Sequence, residues 1–295
     1  DLHKAIRRQR QMCIRDRFGS NGIVASNINL PSYEIVLLRL LLGSLFLITV
    51  FTVSRQRFTF YRNKHTCLYL FISASAMGAS WMLLYEAYQQ VGISIASLAY
   101  YCGPVIVMIL SPFLFRETLT WPKIAGFLTV LTGMCLVNLQ ALDEGKTIWG
   151  LFCGLMSAFM YALMVTANKK AKPESGLENS LLQLVIGSFI VVAFVSMQKN
   201  FVLSLTTIDW IPVLLLGLLN TGIGCYLYFS SITDLPVQTV AICGYLEPLS
   251  AVVFSVLFLH EVLLPLQMLG AVLILGGAIF GECFNPEKQQ WLQSK

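Results

Sequence analysis

Apolar runs long enough to cross a bilayer recur along this chain, and no other feature narrows its fold so much. A spanning helix needs roughly 17–25 predominantly apolar residues. Ten such spans can be drawn: 5–29, 33–53, 68–89, 93–115, 121–140, 148–168, 177–197, 209–232, 235–259 and 264–282. The connections between them are short and carry Pro, Gly, Asn and charges, as turns between antiparallel helices do. Trp149 and Trp210 fall at span starts, where indoles favour the headgroup layer. Only 12% of the 295 residues are charged, against about 25% in a soluble domain. The expectation is an all-α polytopic membrane protein.

The formal charge of +5 does not point to nucleic acid. Residues 1–17 hold six of the twenty Lys and Arg residues, and the remainder is nearly neutral. What matters is where the cations sit. Alternate loops carry Arg55, Arg57, Arg62 and Lys64, then Arg116 and Lys123, then Lys169, Lys170 and Lys172, then Lys288 and Lys295; the intervening loops carry only Lys146 and Lys199. Basic loops stay in the cytoplasm. The bias predicts a multi-pass protein of the cell membrane with both termini cytoplasmic. The eight cysteines contain no CxxC pair and mostly lie inside apolar runs, which reads as small buried hydrophobes.

Shifted by 144 residues, the chain matches itself. YYCGPVIVMILSPFLFRETLTWPKIAGFLTVLTG aligns with GYLEPLSAVVFSVLFLHEVLLPLQMLGAVLILGG without a gap. Pro104 meets Pro248, Ser111 meets Ser255, Glu117 meets Glu261, Gly126 meets Gly270, and Gly133 meets Gly277; upstream, Gly43 pairs with Gly187 and Gly78 with Gly222. Each unit holds five spans, an odd number, so the second copy crosses with opposite polarity. Inverted repeats of this kind are common in secondary transporters, with the solute site near the midplane between the halves.

In these matched segments a proline precedes a glutamate at the end of the same span, and Arg39 sits in IVLLRLLLG of the second span. With those residues the chain resembles the EamA-type permeases of the drug/metabolite transporter superfamily, over about residues 18–282. The resemblance implies a ten-helix bundle of two inverted five-helix repeats that moves small metabolites or amino acids, often outward. Its units would be 18–143 and 148–282, followed by a cytoplasmic tail at 283–295. A drug or nucleotide-type solute carrier is the alternative within transport; a membrane enzyme or a non-transporting scaffold is the alternative outside it.

The repeat also judges the opening segment. Residues 4–17, KAIRRQRQMCIRDR, align with IWGLFCGLMSAFMY at 148–161, which the second copy uses as the apolar first half of a span. Each cation at a helix centre costs roughly 2.5–3.5 kcal/mol on insertion scales. Residues 1–17 are therefore expected to be non-native, and QMCIRDR resembles translated sequencing-adapter DNA. A polybasic helix on anionic lipid is the functional alternative.

Glu247 is the sharpest functional candidate, because it lies about halfway along span nine where the other copy has Gly103. An ionisable residue at that depth implies a cavity or a partner, and Glu247 would bind a solute ammonium or take up a coupling proton. Pro104 and Pro248 each remove a mid-span N–H and read as a hinge pair. Arg39 would snorkel to the interface, face a solute carboxylate or pair with Glu247. Trp81, Tyr85, Tyr101 and Tyr245, with Asn21, Ser157 and Asn220, suggest a cavity for a partly apolar metabolite. Glu117 and Glu261 are expected to cap the helix that follows each of them. No catalytic group, metal ligand set or cofactor is expected: His260-Glu261 lacks a second His at zincin spacing, and neither a P-loop nor GxSxG occurs. The expected partners are a small solute and the bilayer, with a monomer or homodimer as the assembly.

Overall fold

The computed structural model describes residues 32–138, 148–197, 210–232, 235–244 and 265–283. Among them the elements are α1 (Ser32–Val53), a short 3-10 turn (Phe60–Arg62), α2 (Lys64–Tyr100), α3 (Cys102–Phe115), α4 (Trp121–Asn138), α5 (Ile148–Ala171), α6 (Gly176–Ser196), α7 (Trp210–Ile232), α8 (Val237–Gly244) and α9 (Pro265–Cys283). Span one lies outside the described residues; each of the other nine has a part within them. Among the described residues five helices are long and apolar enough to cross a membrane, and about half of each is buried inside the bundle. The other half is also largely apolar, with Leu45, Phe189 and Ile211 facing outward. Helices apolar all round belong in lipid.

Serines stitch the longest seam. α2 and α5 run antiparallel, with Thr66 opposite Ala171, Ser73 opposite Met164 and Ser80 opposite Ser157 in steps of seven residues. The Thr66 and Ser73 hydroxyls donate to the Ala171 and Met164 carbonyls at 3.0 and 2.9 Å, while Ser80 and Ser157 each donate to the other's carbonyl at 2.9 and 2.7 Å. Small side chains let the backbones approach, and each hydroxyl spends its proton on the partner helix. Ser157 is therefore a seam residue, buried and paired.

Glycines make the matching seam between α4 and α9. A β-carbon on Gly133 would come within 2.5 Å of the Gly270 carbonyl oxygen, and one on Gly277 within 2.6 Å of the Gly126 carbonyl oxygen. Those four residues are the repeat pairs 126/270 and 133/277, exchanged. The contacts place 126 opposite 277 and 133 opposite 270, so the two helices are antiparallel and related by a two-fold axis across them. Val130 and Ile274, also equivalent positions, are both fully buried at the centre of this seam. The protein is a helical bundle of two inverted repeats.

Two expectations about the elements change. A connection at 90–92 between spans three and four is replaced by unbroken helix from Lys64 to Tyr100, with the break at Tyr101 (φ −70°, ψ −3°). Gly92 alone does not end a helix; the break falls three residues before Pro104. Pro104 sits in the first turn of α3, where a missing N–H costs nothing. The proline inside that helix is Pro112. It cannot donate to the Met108 carbonyl four residues back, and the Ser111 hydroxyl does so instead at 3.0 Å.

Candidate functional site

Arg39 lies near the middle of α1 and is only 6% exposed. Its Nε donates to Thr221 Oγ1 at 3.0 Å, and its guanidinium carbon stands 4.4 Å from the centre of the Trp81 ring. Three helices from both repeats thus meet on one cation: α1 and α2 from the first, α7 from the second. The described partners are a hydroxyl and an indole, neither of them charged. Snorkelling is excluded by this burial. A guanidinium carries five N–H donors in a fixed fork, and Thr221 takes one of them.

The backbone of α7 explains how Thr221 reaches Arg39. Leu215–Ile223 forms a π-helix, and the Thr221 hydroxyl donates to the Leu216 carbonyl five residues back at 2.9 Å. π segments are rare and concentrate at functional sites. The equivalent residues of the first repeat, 71–79, are α-helical. Packing differs accordingly. Gly78 lies against Gly187, whose carbonyl a Gly78 β-carbon would meet at 3.0 Å, while their equivalents Gly222 and Gly43 part company: Gly222 faces Phe46, and Gly43 faces Thr221 and Gly217. The repeat symmetry holds at the glycine seam and breaks at Arg39.

Of the other expected site residues, Trp81 and Tyr85 pack against the same large core cluster as Tyr100, Tyr161 and Tyr228. Tyr100 and Tyr161 meet edge to face with ring centres 5.5 Å apart, and the Tyr161 and Tyr228 hydroxyls are 3.5 Å apart. Tyr101 touches the edge of this group, its ring centre 5.9 Å from that of Tyr100, and also packs against the cluster of Met108, Phe127, Val130 and Ile274. Asn220 is buried within the π segment. Asn21, Tyr245, Glu247 and Pro248 lie outside the described residues, as does Glu261. Gly103, the counterpart of Glu247, has no room for a side chain, since a β-carbon there would lie 2.7 Å from the Tyr161 ring. Among the described residues no group of His, Cys, Asp and Glu could hold a metal ion.

Cavities open at the end of the bundle carrying the 54–63 connection. One of about 570 Å³ is lined by Ile48, Phe51, Phe58, Tyr61 and Leu181 among others; a second of about 410 Å³ adjoins Lys172, Ser175 and Tyr226.

A family model for EamA-like transporters matches residues 18–139 and again 148–281. The chain belongs to the EamA-like transporter family. Two matches in tandem are the two repeats, and this EamA protein is accordingly a multi-pass membrane transporter of small molecules. It is 27% identical to the uncharacterized transporter YxxF of Bacillus subtilis (strain 168), over 88% of this chain and 84% of that one. It is 28% identical to the threonine/homoserine exporter RhtA of Escherichia coli (strain K12), over 80% and 77%. A crystal structure of 15% identity superposes on 96% of this chain and 97% of its own with a TM-score of 0.80, a likeness of fold alone.

Several polar residues of this EamA protein escape a reading of its sequence. Glu178, 1% exposed, accepts from the Thr59 and Phe60 backbone N–H groups at 2.6 and 2.9 Å and from the Thr59 hydroxyl at 2.5 Å. It ties the start of α6 to the connection between α1 and α2. Its repeat equivalent is Glu34, also buried, a register match that could have drawn attention to both. Glu117 does cap a helix, but not the one that follows it: its oxygens accept from Val237 and Gln238 N–H at 2.8 and 3.2 Å, at the start of α8 in the other repeat. Lys123 and Gln238 join that contact at 2.7 Å, and Gln238 reaches Ser111 at 2.9 Å. Lys169 donates to the carbonyls of Ile232 and Leu235 at the end of α7, where a cation offsets the helix dipole.

Proposed function

We propose that this protein exports amino acids or closely related zwitterionic metabolites across the cell membrane by alternating access. Arg39 carries the reading. A buried guanidinium with one N–H bonded to a hydroxyl, and an indole against its face, is suited to receive a solute carboxylate in a forked pair. The tyrosines around it supply an apolar wall with polar tips. The likeness to a threonine/homoserine exporter supports this solute class.

The basic loops support cytoplasmic termini. In that orientation both cavities open to the cytoplasm, and Arg39 lies on the outer side of the midplane. Glu247 is assigned the solute ammonium or a coupling proton, Tyr245 and Asn21 the wall of the same site, and Pro104 with Pro248 the paired hinge. Residues 1–17 are taken to lie outside the transport units 18–143 and 148–282, with 283–295 as a tail.

Purified protein in liposomes loaded with a panel of amino acids, nucleotides and cationic drugs tests the reading. Saturable efflux of threonine, homoserine or a similar amino acid is the expected result. Flux of nucleotides or drugs alone would overturn it in favour of another solute class, and product formation without flux would favour an enzyme.

A further inference from the structure

The two-fold relation that exchanges the glycines carries Arg39 onto Gln183, 144 residues later. Gln183 is fully buried in α6. Its Nε2 donates to Ser73 Oγ at 2.9 Å. The Ser73 hydroxyl has its single proton committed to the Met164 carbonyl at 2.9 Å, so it can only accept from Gln183. That decides which way the amide points, and it leaves Gln183 Oε1 buried with no donor. Buried acceptors are nearly always satisfied, so an N–H or O–H from outside the described protein groups belongs there.

The chemistry complements Arg39. Arg39 offers donors only; the free atom of Gln183 is an acceptor only. A solute with a carboxylate at one end and an ammonium or hydroxyl at the other satisfies both. The two residues do not hold it at once. Ser44 and Ser188, hydrogen-bonded on the two-fold, lie five residues beyond Arg39 and Gln183 along antiparallel helices. At helical rise each is therefore roughly 7.5 Å from the axis, on opposite sides.

We propose that Gln183 is a second solute station, on the half of the bundle that carries the 54–63 connection, where its Oε1 accepts the ammonium of the solute whose carboxylate Arg39 holds at another point of the cycle. Alternating access rocks one repeat against the other, and Arg39 and Gln183 stand at equivalent positions of the two repeats. This rests on the amino-acid reading above.

Liposome flux of the wild type, Q183L and Q183N tests it, with threonine and its des-amino analogue as paired solutes. Leucine keeps the volume and removes the acceptor; asparagine keeps the amide and withdraws it by a methylene, so one variant serves if the other does not fold. The expected result is KM for threonine raised about tenfold in either variant, with the des-amino analogue affected less. Threonine KM equal to wild type in a folded variant overturns the proposal and leaves Oε1 holding a trapped water only. An equal rise for both solutes overturns it too, since that is loss of packing. A wild type that moves no amino acid refutes the transport reading instead.

Discussion

Ser44 and Ser188 occupy the same place in the two repeats, and their hydroxyl oxygens are 3.0 Å apart. A residue bonded to its own repeat equivalent must lie on the axis that relates the halves. Ser188 also donates to the Leu184 carbonyl at 2.6 Å, so Ser44 supplies the proton between them. The pair marks where α1 and α6 cross.

That position should accept a covalent bridge. Ser44→Cys with Ser188→Cys is expected to form a disulfide under mild oxidation, keeping the halves together on a denaturing gel after a protease site engineered at 139–147 is cut. Ser44→Ala alone should cost about 1 kcal/mol, the net worth of a typical hydrogen bond.

Gly133→Ala and Gly277→Ala should each lower thermal stability in detergent, because the added carbon meets backbone oxygen on the facing helix, which cannot give way. Overpacking of this kind costs roughly 1–3 kcal/mol. Gly276→Ala, with nothing within 4 Å, should be neutral or gain up to about 1 kcal/mol of helix propensity. Equal melting points across the three would contradict the seam.

Arg39→Lys keeps the charge but loses the planar fork. We expect the lysine variant to fold and to move threonine with KM raised at least tenfold, and Arg39→Gln to lose saturable flux. Thr221→Val, which removes the described hydrogen-bond partner, should raise KM less than either. Wild-type kinetics in the lysine variant would reduce Arg39 to a packing residue.

Glu178→Ala leaves two backbone N–H groups without their acceptor, at a cost of several kcal/mol for a charge-assisted cluster. The 54–63 connection carries exposed Arg55, Arg57 and Arg62. Limited trypsin digestion should therefore cut there many times faster in the alanine variant, while Glu178→Gln, which keeps one acceptor, falls between. Unchanged cleavage would show that the connection is held by other contacts.

Glu247→Gln should preserve folding and membrane insertion while cutting flux or flattening its dependence on pH. Flux with wild-type magnitude and pH profile in that variant would make Glu247 structural.

Class and architecture were legible in the order of residues alone. Apolar run length decides between bilayer and water, and a gapless register of glycines, prolines and acids reveals the repeat; at 126/270 and 133/277 the matched glycines make the same close contact twice. The inverted polarity follows from an odd number of spans. Which helices touch did not follow. Arg39 could have faced lipid headgroups, solute or an acid; only the packed bundle sets it between Trp81 and Thr221, 182 residues away in the second case. The π segment that delivers Thr221 has no signature in LLGLLNTGI, because π and α turns differ in hydrogen-bond register rather than residue preference. Glu117 reached across to α8 instead of the helix beside it, and Tyr101 rather than Gly92 broke the backbone. In each case the chain offers a polar group or a weak breaker, and the choice among its partners is made by whichever helix is packed against it.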